Sequence, residues 1–378
     1  MGLMSLLAAS ASLRAEEPRL DKTDLLSAGQ GGYETFRVPG MVVTHAGTVL
    51  VYCEARRNSR SDWADIEVLL CRSANGGATW SPPQRIADSG KDTVNNPVAF
   101  IDRDSQRIHF LYCLNYHRCF YMYSDDDGRT FSKPREITKA FEPFRQQYDW
   151  NVLATGPGHG IQLQNGRLLV PVWLSTATRH HRPSAVSVIY SDDHGGSWQA
   201  GEIVCADPDP LKNPSETVAV QLSDGRVLLN IRNENREYRR ALSFSRDGAT
   251  DWSPVQVDGN LYEPICMAGI THLPRPFAEN DKTFVFTNPD SQKNPKLHGK
   301  HNFRFRENVT VRMSYDDCES WPVSRVLEAG VSGYSDLAVG KDGTVYCVYE
   351  RGGQEGMAFQ HLTLARFNRG WIEAGAGQ

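Results

Sequence analysis

Ser191-Asp192-Asp193-His194-Gly195-Gly196-Ser197-Trp198 is the stretch from which the fold can be read, because its pattern, S-x-D-x-G-x-x-W, keeps returning. Ser124 to Phe131 reads SDDDGRTF, and Ser73 to Trp80 reads SANGGATW with Asn75 at the aspartate place. Ser245 to Trp252 reads SRDGATDW, its glycine one place early, and Ser314 to Trp321 reads SYDDCESW with Cys318 at the glycine place. The copies begin at residues 73, 124, 191, 245 and 314, so they are 51, 67, 54 and 69 residues apart. A turn plus an aromatic recurring at such a period predicts a propeller or a solenoid.

The chemistry of the repeat is that of a turn. Ser and Asp side chains hydrogen-bond nearby backbone, glycine supplies a positive φ, and the Trp or Phe packs the turn onto a sheet. Between the copies, short β-branched and aromatic runs alternate with turn signals, and no stretch has a convincing helical period. Met41–Thr44 and Thr48–Glu54 flank His45-Ala46-Gly47. Asn165-Gly166, Asp224-Gly225 and Asp342-Gly343 interrupt apolar runs in the same way, a strong hairpin signal. The repeat resembles the Asp box of the sialidase (neuraminidase) family. That resemblance implies an all-β, six-bladed β-propeller with four antiparallel strands per blade, and one such domain is expected over residues 16–378. The box itself is structural and carries no chemistry.

Composition sets bounds. The chain has 378 residues, 32 Gly and 20 Pro, which suits many turns, and 40% hydrophobic residues. A net charge of −4 argues against a nucleic-acid or anionic-membrane partner. No apolar run approaches the about 20 residues of a spanning helix. Residues 1–15, MGLMSLLAASASLRA, read as the apolar core and cleavage zone of a signal peptide without a basic start, so a secreted or periplasmic protein is expected. The eight cysteines are scattered with no CxxC pair, which offers no zinc site. Most lie in strand-like runs, where a free buried thiol is expected.

The resemblance covers about Tyr33 to Tyr349, and its functional motifs can be matched singly. Phe36-Arg37-Val38-Pro39-Gly40 is similar to the family's F/Y-R-I-P motif, Arg232 ends the apolar run of Asn230-Ile231-Arg232-Asn233, and Arg312 stands two residues before the fifth box. The resemblance makes Arg37, Arg232 and Arg312 a cluster for the substrate's carboxylate, which planar guanidinium groups bind through paired charged hydrogen bonds. Ser332-Gly333-Tyr334-Ser335 resembles the nucleophile motif, and Glu216 in Asn213-Pro214-Ser215-Glu216-Thr217 its activating carboxylate. A phenol is a poor nucleophile alone, but a carboxylate within reach can take its proton. A neutral phenol also avoids the repulsion that a carboxylate nucleophile would meet from an acidic sugar.

Asp62, on a loop after Glu54-Ala55-Arg56, matches the acid/base, with Asp65 in the same loop as its rival. Such an acid needs a raised pKa. Arg56 resembles an arginine that reaches the sugar's 4-hydroxyl side. Thr155 to Gln162, expected to shape the floor or rim of the pocket, and Asn95-Asn96-Pro97-Val98 also resemble bacterial members, with His159 either a ligand contact or structural. Trp63, Trp150, Trp173 and Phe144 are candidates to pack against the sugar's arms or to be core. Pro274 to Phe305 has few strand signals. With Arg306 beyond it, it carries Lys293, Lys296, His298, Lys300 and Arg304, either a solvated loop or a basic rim to the site.

The implied activity is retaining exo-α-sialidase chemistry on sialylated glycoconjugates by a monomer, with no cofactor and no metal. The alternatives are a non-catalytic glycan-binding propeller, which would lack the reactive set, and an intramolecular trans-sialidase, which would share it.

Overall fold

The computed structural model describes residues 17–294, 306–353 and 359–375. The expected leader, and Lys296, His298, Lys300 and Arg304 of the basic segment, lie outside the described residues.

The strands form six blades around one axis. Blade 1 is Thr35–Val43, Val49–Arg56, Ile66–Ser73 and Gln84–Ala87, antiparallel in that order from the axis outward. Blade 2 is Val94–Ile101, Ile108–Leu114, Arg118–Ser124 and Arg135–Glu136. Blade 3 has a broken inner strand (Val152–Thr155, then Ile161–Gln162), then Leu168–Ser175, Ser184–Ser191 and an edge of two short pieces, while the intervening Gly158–His159 pairs parallel with Val98–Ala99 of blade 2. Blade 4 is Thr217–Gln221, Val227–Ile231, Arg239–Ser245 and Gln256–Tyr262. Blade 5 is Gly269–His272, Phe284–Pro289, Glu307–Ser314 and the first half of the long strand Val323–Val339, whose second half is the inner strand of blade 6. Blade 6 is completed by Val345–Arg351, His361–Phe367 and, from the other end of the chain, Leu20–Ser27.

Period-2 alternation explains the core. In a propeller strand, one set of side chains faces the preceding blade and the other set the next. Val49, Val51, Cys53 and Ala55 therefore pack against Val348 and Leu364 of blade 6, while Leu50 and Tyr52 pack against Val94 and Phe110 of blade 2. Each of the six seams holds its own apolar cluster. With both faces buried the strands read as continuous apolar runs, each fully buried Val or Leu contributing roughly 1.5–3 kcal/mol. All eight cysteines are free and buried in these strands or turns. The chain has little helix. The 3₁₀ segment Thr138–Gln146, which no periodicity announced, buries Phe141 and Phe144, and together with Trp150 they sit in the seam between blades 2 and 3.

The five repeats join the third strand of a blade to its fourth. In four of them the serine hydroxyl accepts the N–H of the residue four places on: Gly77, Gly128, Gly195 and Cys318, at 2.8–3.0 Å. Cys318 adopts φ 67°, so the glycine's conformation is kept without glycine. In the fourth copy the bond falls three places on, Gly248 N to Ser245 Oγ at 3.0 Å. Blade 6 needs no such turn, because its outer strand comes from the chain's other end. Several boxes also tie neighbouring blades. Asp127 accepts from Thr44 and Thr48 of blade 1, and Asp317 from Ser223 of blade 4.

Strand alternation then fixes where function can lie. With antiparallel strands, the loops between second and third strands emerge at one end of the axis and the Asp boxes at the other. The starts of the inner strands share the first end.

Candidate active site

That first end holds a pocket of about 230 Å³ to which all six blades contribute. Arg37 and Val38 come from the inner strand of blade 1, and Asp62 from its second-to-third loop. Asn96 and Tyr116 come from blade 2, and Trp173, His181 and Arg182 from blade 3. Glu216, Arg232 and Glu234 flank the first two strands of blade 4, Arg306 precedes the third strand of blade 5, and Tyr334 lies on the inner strand of blade 6.

Three of these positions sit at bulges. Pairing slips between Arg37 and Gly40, between Asn95 and Val98, and between Ser332 and Ser335. Val38 and Asn96 adopt φ 54° and 52°. Bulges re-aim side chains where a regular strand would send them into a seam.

Tyr334 is the centre of the floor. Its hydroxyl donates to Glu216 Oε1 at 2.5 Å and accepts from Arg232 Nη1 at 2.9 Å. The same Nη1 is ion-paired with Glu216 Oε2. Burial, and after it the negative charge of Glu216, push the phenol well above its usual range, against the pull of Arg232 and Arg306. The tyrosine is therefore neutral in the free protein.

Fully buried Glu350 joins two walls. Its Oε1 accepts from Arg37 Nε at 2.7 Å and from the Val38 N–H at 2.9 Å, and its Oε2 accepts from the Tyr334 N–H at 3.1 Å. Arg306 lies over the Tyr334 ring, 5.1 Å from its centroid, and donates to the Ile265 carbonyl. Nε of Arg232 and Nε of Arg306 have no partner among the described residues.

Across the pocket, Asp62 receives Arg56 Nη1 at 2.9 Å and lies 3.9 Å from His181 Nδ1. Burial alone would raise its carboxyl, but Arg56, Arg37 and His181 outweigh burial and hold it at about 2. The raised carboxyl that an acid in this role needs is thus absent in the free protein, because the guanidinium field exceeds desolvation. His181 packs against Trp63 and Tyr116, with ring centroids 5.6 and 4.8 Å away.

The structure brings together Arg37, Asp62, Glu216, Arg232 and Tyr334. Two other expectations are corrected. Arg312 does not line the pocket. It lies six residues beyond Arg306, roughly 20 Å of extended chain, and it donates to Asn288 Oδ1 at 3.0 Å and Asp290 Oδ2 at 2.5 Å. Arg306 lines the pocket instead, beside Arg37, Arg182 and Arg232. Arg56 does not line the pocket either. Fully buried, it is gripped by Glu54 Oε2 at 2.6 and 3.1 Å and faces Asp62 from behind. The rival Asp65 is not in the lining. Trp173 and Asn96 are, whereas Trp150 and Phe144 are core and His159 instead pairs with Asp336 at 2.7 Å. Tyr116, His181, Arg182 and Glu234 also line the pocket, on loops that carry no motif to announce them. Arg306 did carry a signal, as a basic residue of the segment read as a possible rim.

The BNR repeat-like domain family matches residues 47–347. A sialidase of Micromonospora viridifaciens is 31% identical, covering 94% of this chain and 55% of its own length. A sialidase of Bacteroides fragilis is 26% identical, covering 89% and 63%. An exo-alpha-sialidase of Aspergillus fumigatus is 26% identical, covering 92% and 87%. The chain therefore spans 55–63% of the two bacterial relatives. Among solved structures, the Hadza microbial sialidase Hz136 superposes with a TM-score of 0.77 at 27% identity, covering 92% of this chain and 68% of that one. The intramolecular trans-sialidase of Ruminococcus gnavus superposes with a TM-score of 0.75 at 17% identity, covering 92% and 98%, a likeness of fold.

Proposed function

This chain belongs to the sialidase family of BNR-repeat propellers, and on that premise we propose that it is an exo-α-sialidase acting with retention through a tyrosyl intermediate. The observation that carries the reading is the contact of Tyr334 Oη with Glu216 Oε1 at 2.5 Å on the floor of an arginine-walled pocket.

Arg37, Arg232 and Arg306 accept the carboxylate on the sugar's anomeric carbon. Glu350 holds Arg37 by Nε, which leaves the far edge of that guanidinium toward the ligand. Glu216 takes the phenolic proton as the Tyr334 oxygen bonds to the anomeric carbon, and Asp62 gives a proton to the departing glycosidic oxygen. Water then attacks the sialyl-tyrosine, Asp62 takes its proton, and the phenolate recovers its own from Glu216. Two inversions release the α-anomer. Tyrosine nucleophiles are the sialidases' exception to the two-carboxylate scheme of glycosidases.

Asp62 must be protonated for this, yet it stands at about 2 in the free protein. The substrate supplies the difference. Its carboxylate offsets the arginine charge, and its bulk expels water, both of which raise a nearby carboxyl.

The test is a panel of sialosides, with the released sugar identified by mass and its first anomer by NMR. Free sialic acid appearing first as the α-anomer supports the reading. An anhydro sugar would make the chain an intramolecular trans-sialidase, and tight binding without turnover would make it a glycan-binding propeller.

A further inference from the structure

At the Asp-box end, far from the pocket, a second cluster joins blades 2 and 3. The Asp102 carboxylate is fully buried just past the inner strand of blade 2. Its Oδ1 accepts from the N–H groups of Asp104 and Ser105, at 2.9 and 3.3 Å, and from Gln162 Nε2 at 3.2 Å. Its Oδ2 faces two imidazoles. His194 Nδ1, from the third Asp box, is 2.7 Å away, and His109 Nε2, from the second strand of blade 2, is 3.7 Å away.

His109 distinguishes this cluster from a simple inter-blade tie. The residue is fully buried, and its Nδ1 is held by the Tyr121 hydroxyl at 2.9 Å. Its Nε2 points at Asp102 with no hydrogen-bond partner among the described residues. At the equivalent place in two of the other boxes, Asp127 and Asp317 bind hydroxyl or backbone donors of the neighbouring blade directly, and in the remaining two a glycine, Gly76 or Gly248, stands there. Among the described boxes, the third presents an imidazole to a carboxylate beside a second, unpartnered imidazole. Exposed Asp104 adds another oxygen, and the ligand atoms of Asp102, Asp104 and His194 lie within 4.8 Å of one another.

We propose that Asp102, His194 and His109, with Asp104 at the mouth, form a binding site for a Zn²⁺-type dication that clasps blades 2 and 3. Two imidazole nitrogens and carboxylate oxygens suit Zn²⁺, whereas Ca²⁺ and Mg²⁺ favour oxygen alone. Tyr121 on the far nitrogen of His109 is the outer hydrogen bond that orients a ligating histidine. Ligands of a tetrahedral Zn²⁺ lie about 3.3 Å apart for bonds of about 2.0 Å. His109 and Asp102 nearly meet this, and the exposed side chains of His194 and Asp104 are free to close on the ion from solvent.

The experiment uses the tag-free full chain stripped with EDTA. ZnCl₂ is titrated by calorimetry, Co²⁺ is followed by its visible absorption, and Tm is read with each metal and with CaCl₂. The expected result is one Zn²⁺ per chain, a raised Tm, a tetrahedral-type Co²⁺ band and no response to Ca²⁺. His194→Ala and, separately, Asp104→Asn, each checked for native circular dichroism, should weaken Zn²⁺ at least about tenfold. Absence of stoichiometric Zn²⁺ binding, binding undiminished in folded His194→Ala, or an equal response to Ca²⁺ overturns the proposal and leaves His194–Asp102 as a hydrogen-bonded tie.

Discussion

Exchanging Arg306 and Arg312 one at a time for alanine separates a ligand-binding arginine from a structural one six residues further along the chain. Arg306 lines the pocket over Tyr334, its Nε has no partner, and its other donation is to a backbone carbonyl. Removing it deletes one charged partner of a desolvated carboxylate, which costs on the order of 2–5 kcal/mol. At about 1.4 kcal/mol per factor of ten, kcat/KM should fall roughly 30- to 4,000-fold. Few protein contacts are lost, so Tm should barely move. Arg312→Ala should do the reverse. It strips Asn288 and Asp290 of their donor, and Asp290 is a quarter exposed, so about 1–3 kcal/mol of stability should go while kcat/KM of the folded protein stays within a few-fold. The assay is steady-state hydrolysis of an aryl sialoside beside thermal unfolding of both variants. Near-normal kcat/KM in Arg306→Ala with collapse in folded Arg312→Ala would refute the assignment and restore Arg312 to the cluster.

Further outcomes follow from the same geometry. Asp62→Asn should spare aryl sialosides, whose leaving group needs little protonation, and impair natural sialyl-galactosides about 10²–10⁴-fold more; the same selective loss in Asp65→Asn instead would move the acid to Asp65. Because Asp62 stands at about 2 when the pocket is free, only about one molecule in a thousand is protonated at pH 5. If ligand binding raises that value, the complex holds more protons than the free protein, so binding of sialic acid should take up protons and weaken as pH rises; calorimetry in buffers of differing ionisation heat measures this, and zero uptake would contradict it. In the third Asp box, Asp193→Ala should cost about 1–2 kcal/mol, because Asp193 accepts from Ser191 Oγ, Ser197 N and Ser197 Oγ at 2.6–2.8 Å. Asp193→Asn should cost much less, since Asn75 bonds Thr79 N the same way in the first box; equal losses measured by urea unfolding would contradict this.

The architecture was legible because its signals are local. Each Asp box is closed by bonds within eight residues, and the box survives Asn75, Cys318 and the early Gly248 because the Ser hydroxyl and a positive φ suffice. Hairpins at Asn165-Gly166 and Asp224-Gly225 formed where the dipeptides stand. The missing sixth box is a matter of topology, since Leu20–Ser27 closes blade 6 from a distance no motif records. The site was legible where a motif fixes register. Arg37 and Tyr334 lie at bulges embedded in short recognisable strings. Arg306 stands just before the strand that carries Arg312, six places away, and only the bulges between Glu307 and Thr310 and the end at which the pocket opens decide between them. Asp62's low pKa was illegible for another reason: Arg56, Arg37 and His181 converge on it from two blades, and their summed field has no counterpart in the sequence.

The nucleophile is the central claim, and covalent trapping tests it most directly. A fluorinated sialic acid with a good leaving group disfavours the positive charge needed for the second displacement, so the sialyl-enzyme should accumulate. Peptide mass spectrometry should then find one sugar on Tyr334, and Tyr334→Phe should take up none. A label on Glu216, Asp62 or any other residue, or rapid turnover in folded Tyr334→Phe with retained stereochemistry, would contradict the account.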